Sequence, residues 1–289
     1  MQEGTKGANA GWLSGFIGII IFSGSLPATR LAVGHFTPVF IAATRAVIAA
    51  LLAAVMLLSL RAARPQRVDV RSLALVAGGV VIGFPLLTAV ALQQISAAHS
   101  LVFIGLMPLA TALFGVLRAR ERPHAQFWLF SGVGAVTVSG YALWQSDSGS
   151  VLPDVEMVTA ILLCGLGYAE GAVLARRLGG WQVICWALLL ALPVGAPVAF
   201  ATMPTVQPSA WRAWAALAYL SVFSMLLGFV FWYRGLALGG VTGVSQLQLL
   251  QPFVGFLLAA IVLHVAIVPG MLGCALIVVL SVFGARRVS

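Results

Sequence analysis

Apolar runs of about 20 residues follow one another along the whole of this 289-residue chain, joined by short connections. A helix of that length crosses a hydrocarbon core of roughly 30 Å. In lipid only helices and closed barrels satisfy every backbone N–H and C=O. The expected fold class is therefore an all-α integral membrane protein. Composition agrees: 61% of residues are hydrophobic and 8% charged, against about 25% charged in soluble domains. Ten spans are read at about 12–32, 36–60, 72–93, 97–118, 126–145, 155–176, 181–202, 211–234, 241–263 and 267–285.

A formal charge of +9 raises the question of nucleic acid, yet Lys6 is the one lysine and the arginines sit in short loops. They cluster after spans 2, 4, 6 and 10 and end span 8, as a topology signal does. No nucleic-acid partner is expected; the partners are the bilayer and a small-molecule substrate. Both termini are placed in the cytoplasm by the positive-inside rule, with the first run an uncleaved span.

The stretch Ala91–Glu121 returns in outline over Ala237–His264. Pro108 and Pro252 lie 144 positions apart, Ala91-Leu92 and Ala237-Leu238 146, and Gly83-Phe84 and Gly228-Phe229 145. That spacing is half the chain, so it reads as a doubled unit. Residues 1–146 form a first five-helix repeat, 147–154 an extracytoplasmic linker, and 155–289 a second repeat. Five is odd, so the second repeat enters the membrane from the opposite side. Two inverted repeats around a central cavity are the plan of many secondary transporters.

At about 100° per residue, Ser96, His99, Ser100, Phe103, Met107 and Thr111 share one stripe of span 4. Hydroxyls and imidazole gain nothing from lipid, so this face points inward. In span 9, Thr242, Ser245, Gln246 and Gln248 occupy a wider arc, with Gln251 nearly opposite. Such stripes line a solute pathway or tie helices together by hydrogen bonds. Tyr168 and Trp232 are candidate cavity walls. Gly83, Pro85, Pro108 and Pro252 are candidate hinges, because proline removes a backbone donor and bends a helix. Arg45 and Glu170 are the charges inside spans, costly unless paired or hydrated. Arg45 reads as a helix tie or as the holder of a substrate carboxylate. Glu170 reads as a coupling-proton site or as a side chain snorkelling toward Arg176 and Arg177.

Glycines at GxxxG spacing, Gly79/Gly83, Gly167/Gly171 and Gly235/Gly239, mark close helix packing. No phosphate-binding GxxxxGK[ST] loop, GxSxG elbow or HExxH pair occurs, and no enzyme activity, cofactor or metal is expected. Cys164, Cys185 and Cys274 lie in apolar runs without CxxC spacing, which excludes a disulfide framework.

Further residues carry a resemblance. Thr37-Pro38-Val39-Phe40-Ile41-Ala42-Ala43-Thr44-Arg45 heads span 2. Ala91-Leu92 precedes span 4, and Pro108 is followed by Leu117-Arg118-Ala119-Arg120-Glu121 and a glycine-rich span 5. In that order the chain resembles the ten-helix EamA type of the drug/metabolite transporter superfamily. It departs from the family pattern at His264 and Val265, where the family carries a Glu. Within the superfamily it is most similar to bacterial YddG-like aromatic amino-acid exporters. The resemblance implies a basket lined mainly by spans 1, 3, 4, 6, 8 and 9, located in the bacterial inner membrane and exporting amino acids. Export of another metabolite or drug, or a non-transporting scaffold, are the alternatives.

Overall fold

The structure, a computed structural model, describes residues 2–95, 100, 103–144, 151–205, 210–263 and 269–288. All regular structure among them is helical. In chain order the first half contains α1 (Gln2–Ser23), α2 (Ser25–Val33), α3 (Pro38–Ser59), α4 (Arg67–Val76), α5 (Phe84–Gln94), α6 (Met107–Ala119) and α7 (Ala125–Trp144). The second half contains α8 (Val151–Leu178), α9 (Gly180–Ala201), α10 (Trp211–Tyr219), α11 (Gly228–Gly239), α12 (Val241–Ser245), α13 (Gln251–Leu263) and α14 (Pro269–Val288). Among the described residues six continuous helical runs are long and apolar enough to cross a membrane: Gly7–Val33, Pro38–Ser59, Arg67–Gln94, Val151–Leu178, Gly180–Ala201 and Trp211–Gly239.

Two of these runs are not α-helical throughout. Ala77–Gly83 joins α4 to α5 as a π-helix, and Leu220–Leu227 joins α10 to α11 in the same way. Each ends on a bond reaching five residues back, from Phe84 N–H to Gly79 O and from Gly228 N–H to Phe223 O. The wider turn keeps the backbone bonded inside the apolar layer while shifting the side chains that follow. At Pro85, the second residue of α5, it also absorbs the missing N–H.

Pro108 and Pro252 do not kink the middle of a helix. Each is the second residue of a helix that starts after a break, Met107-Pro108 in α6 and Gln251-Pro252 in α13. A turn at Gly105-Leu106 precedes the first, and a 3-10 stretch over Gln246–Leu250 precedes the second. Proline in the first turn costs no hydrogen bond, because that N–H has no intrahelical partner.

The helices pack through small residues. A Cβ built on Gly11 would sit 2.5 Å from the Gly239 nitrogen, and one on Gly235 would sit 2.7 Å from the Gly15 nitrogen. The start of α1 thus lies against the end of α11, backbone on backbone. Other pairs also run antiparallel. Gly195, late in α9, faces Ala43 near the start of α3, and Gly284, late in α14, faces Phe130 near the start of α7. Asp69, opening α4, pairs with Arg177, closing α8. Arg30 at the end of the first run donates to Leu92 O at the end of the third, 2.6 Å away, so those two are parallel.

Backbone contact of this kind leaves no space for a side chain. Gly11→Leu should force α1 from α11 at a cost of about 1–3 kcal/mol and lower the melting temperature of the purified protein. Gly78→Ala, where a Cβ meets nothing within 4 Å, should melt with the wild type. Equal melting of all three proteins would contradict this packing.

Candidate functional site

The seams between α1–α3, α5, α6, α8 and α11 converge on a chamber at the centre of the bundle. Phe22, Phe84, Tyr168 and Phe229 give it aromatic walls, with Ile104 and Met107 between them. Its polar groups are Ser25, Thr29, Arg45, Thr88, Ser224, Gln248 and Gln251. The cavity volume is about 40 Å³, enough for a few waters at roughly 10–15 Å³ each. Pockets that hold small organic ligands run to about 300–1,000 Å³. In this conformation the chamber offers less space than an organic solute needs.

Arg45 is the one charged side chain in that wall and is 6% exposed. Its Nη2 donates to Ser224 Oγ at 3.0 Å, and Ser224 Oγ shares a hydrogen bond with Ser25 Oγ at 2.7 Å. Arg45 Nε and Thr88 Oγ1 have no hydrogen-bond partner among the described residues. Among the described residues no carboxylate pairs with Arg45. An unneutralised guanidinium at this depth costs several kcal/mol.

Beneath the chamber the aromatics continue inward. The Tyr168 ring lies 5.5 Å from Trp232 and 6.5 Å from Tyr233, while Phe22 lies 4.8 Å from Phe229. Trp232 and Tyr233 are fully buried, and Tyr233 Oη donates to Gly167 O at 3.1 Å. They form the floor.

Below the floor, the arginine-rich end is clamped by acid–base pairs. Arg118 pairs with Glu170, Arg177 with Asp69, and Arg176 with Glu121 at 3.1 Å. Glu121 also caps α12: its carboxylate accepts from Val241 N and Thr242 N at 2.7 Å each and from Thr242 Oγ1 at 2.8 Å. Gly240, with φ +86°, makes the turn that aims these N–H groups at it. A carboxylate at a helix N-terminus satisfies orphan donors and opposes the positive end of the dipole.

The residues singled out from sequence divide among these places. Met107, Tyr168, Arg45 and Pro85 line the chamber, and Gly83 precedes it in the π-helical stretch. Trp232 lies in the floor. Thr242 and Ser245 stand at the clamped end, with Ser245 Oγ donating to Thr242 O at 2.8 Å. Gln246 is fully buried, and both its polar atoms lack a partner among the described residues. Ser100 is buried, and Phe103 lines a separate apolar groove with Leu106, Trp128 and Ile161. Ser96, His99, His264 and residues 147–150 of the linker lie outside the described residues. Glu170 joins neither Arg45 nor Arg176 and Arg177; Arg118, one helix away, takes it.

Gln248 and Gln251, three residues apart, share the chamber, whereas Gln246 does not line it. Through the 3-10 stretch that ends at Leu250, residues three apart eclipse one another. Ser25, Thr88 and Ser224 escape sequence reasoning because scattered serines and threonines occur in any helical bundle as interhelical hydrogen-bond formers, and Glu121 is marked there only by its place in the family motif.

Helical runs long and apolar enough to cross a membrane, packed around a chamber of mixed polarity, give the architecture of a membrane transporter. The chain belongs to the EamA-like transporter family, whose profile matches residues 9–142 and again 154–287. It is 55% identical over 282 residues to the uncharacterized transporter YdeK of Bacillus subtilis (strain 168), covering 96% of this chain and 97% of that one. It is 28% identical over 262 residues to the uncharacterized transporter sll0355 of Synechocystis sp. (strain ATCC 27184 / PCC 6803 / Kazusa), covering 79% and 75%. One crystal structure shares the fold at a TM-score of 0.78 and 19% identity, over 96% of this chain and 99% of its own. The family is one of transporters and not of enzymes.

The Glu121 cap yields a direct test. Glu121→Ala strips two backbone donors, a hydroxyl and Arg176 of their acceptor, and should cost about 1–3 kcal/mol. Exposed Arg122→Ala should stay within about 0.5 kcal/mol of wild type. Thermal melting of the two purified variants decides; indistinguishable curves would discard the cap.

Proposed function

We propose that this protein is a bacterial inner-membrane secondary transporter that exports aromatic and other neutral amino acids by alternating access. In this reading ten crossings form two inverted halves, residues 1–146 and 155–289, joined by the linker 147–154. Support comes from the spacing of Pro108 and Pro252 and from their matching place as second residues of α6 and α13. The paired π-helical stretches lend more. So does direction: α3 against α9, α7 against α14, and the end of α6 against the start of α12 all run opposite ways. In this reading the first two pairs join equivalent elements of the two halves.

The observation that carries the solute reading is the chamber, lined by Phe22 and Arg45 from the first half and by Tyr168, Phe229, Ser224 and Gln251 from the second. Aromatic walls suit an apolar side chain, and the polar arc suits a carboxylate and an amine. The positive-inside rule assigns the arginine-rich, clamped end and both termini to the cytoplasm. The conformation is then one sealed from the cytoplasm, and export requires a second state in which the acid–base clamp parts.

Purified protein in liposomes should move labelled phenylalanine several-fold faster than empty liposomes, saturably and with counterflow. The same panel should include a polyamine, a sugar and a cationic drug, each run with and without a pH gradient. Selective movement of one of those instead would replace the amino-acid reading with export of another metabolite. No saturable flux of any compound would leave the scaffold reading.

A further inference from the structure

We infer that Arg45 is the anion-binding centre of the chamber, and that the preferred ligand is a carboxylate bearing an apolar body, with or without an amino group. The inference deepens the transport reading and rests on it only for the location of the site. Arg45 is the eighth residue of α3, about 12 Å below the end of its helix at 1.5 Å per residue. The five acidic side chains described lie elsewhere: Asp69, Glu121 and Glu170 are engaged at the clamped end, and Asp154 and Glu156 stand in the first turns of α8.

The guanidinium therefore faces the chamber with a single hydroxyl partner and a vacant Nε. A buried cation without an internal counter-charge is neutralised most directly by the ligand. The planar fork of arginine matches the two oxygens of a carboxylate. Ser224, Ser25 and the unpaired hydroxyl of Thr88 supply further donors beside it. The aromatic walls of Phe22, Tyr168 and Phe229 take the apolar body. An ammonium group meets no carboxylate among these lining residues, so it adds little, and a ligand carrying only positive charge is repelled.

The test is equilibrium binding to purified full-length protein of three compounds of nearly one shape: 3-phenylpropanoate, phenylalanine and phenylalaninamide. The acid should bind at least as tightly as phenylalanine, and the amide more than about tenfold more weakly, as loss of a buried charge partner implies. Arg45→Gln should weaken the acid more than about tenfold and narrow its advantage over the amide, while Arg45→Lys recovers part of it. Ser224→Ala, which keeps the charge, should weaken the acid a few-fold.

Equal binding of acid and amide by the wild type overturns the inference, as does unchanged acid binding by a monodisperse Arg45→Gln. Failure of the wild type to bind either carboxylate overturns it too. If Arg45→Gln does not fold, the wild-type comparison and Ser224→Ala decide. Arg45-dependent binding of 3-phenylpropanoate by a protein that moves no phenylalanine would sink the amino-acid export reading and leave this one standing.

Discussion

Hydrocarbon does not solvate a peptide group, and this fold follows from that. Wherever the chain departs from a regular α-helix at membrane depth, the freed backbone groups must find partners inside the protein. The departures sit where such cover exists. The π-helical stretch at Ala77–Gly83 lies against α8, where Gly79 meets the Leu163 carbonyl. The 3-10 stretch at Gln246–Leu250 is buried through Leu249. Each irregular stretch borders the chamber, supplying or re-phasing a residue that lines it: Val80 and Phe84 in one case, Gln248 and Gln251 in the other, Ser224 in the third. Irregular backbone here is the means by which polar side chains reach the centre of an apolar bundle.

The same solvent argument sorts the charges. Arginines at the clamped end are about half exposed, whereas two of their acidic partners, Glu170 and Asp69, are almost wholly covered. A covered carboxylate demands a cation, and a half-exposed arginine delivers one at small desolvation cost. The clamp thus holds together helix ends that otherwise meet through packing alone. Arg45 stands outside that economy: it is covered, central and opposed by hydroxyls. One class of charge ties helix ends together, and the other is held by hydroxyls at the chamber wall.

What the sequence discloses and what it hides divide along this line. Helical class, the repeat and the packing glycines are written in periodicities that lipid enforces: runs of about 20 residues, prolines 144 apart, glycines four apart. The chamber lining is not periodic. Setting Gln251 nearly opposite the arc of Thr242, Ser245, Gln246 and Gln248 assumes a constant 100° per residue, which the 3-10 stretch breaks. Ser224 is hidden in the same way by the π-helical stretch that contains it. Glu170 illustrates a second limit. Its neighbours along the chain, Arg176 and Arg177, are plausible partners by distance, yet both are taken by Glu121 and Asp69 from other helices. Pairing across a bundle depends on which helices adjoin, and no local pattern records that.

The clamp also bears on how such a chain can move at all. An exposed ion pair contributes about 0–1 kcal/mol, a buried one more to break than to replace. With its arginines half exposed, each pair here lies between those limits, so parting all three is costly but within reach of a bound ligand's free energy. A state that opens at this end would expose Glu121, Glu170 and Asp69 to water, which repays much of what their pairs supplied. Buried polar groups near the floor of the chamber add to that compensation. Gln246 and the Trp232 indole N–H are buried without partners among the described residues, so a conformation that wetted them would gain relative to this one. Unsatisfied polar groups beneath a solute chamber narrow the gap between two conformations, and a narrow gap is what lets a small molecule set the balance.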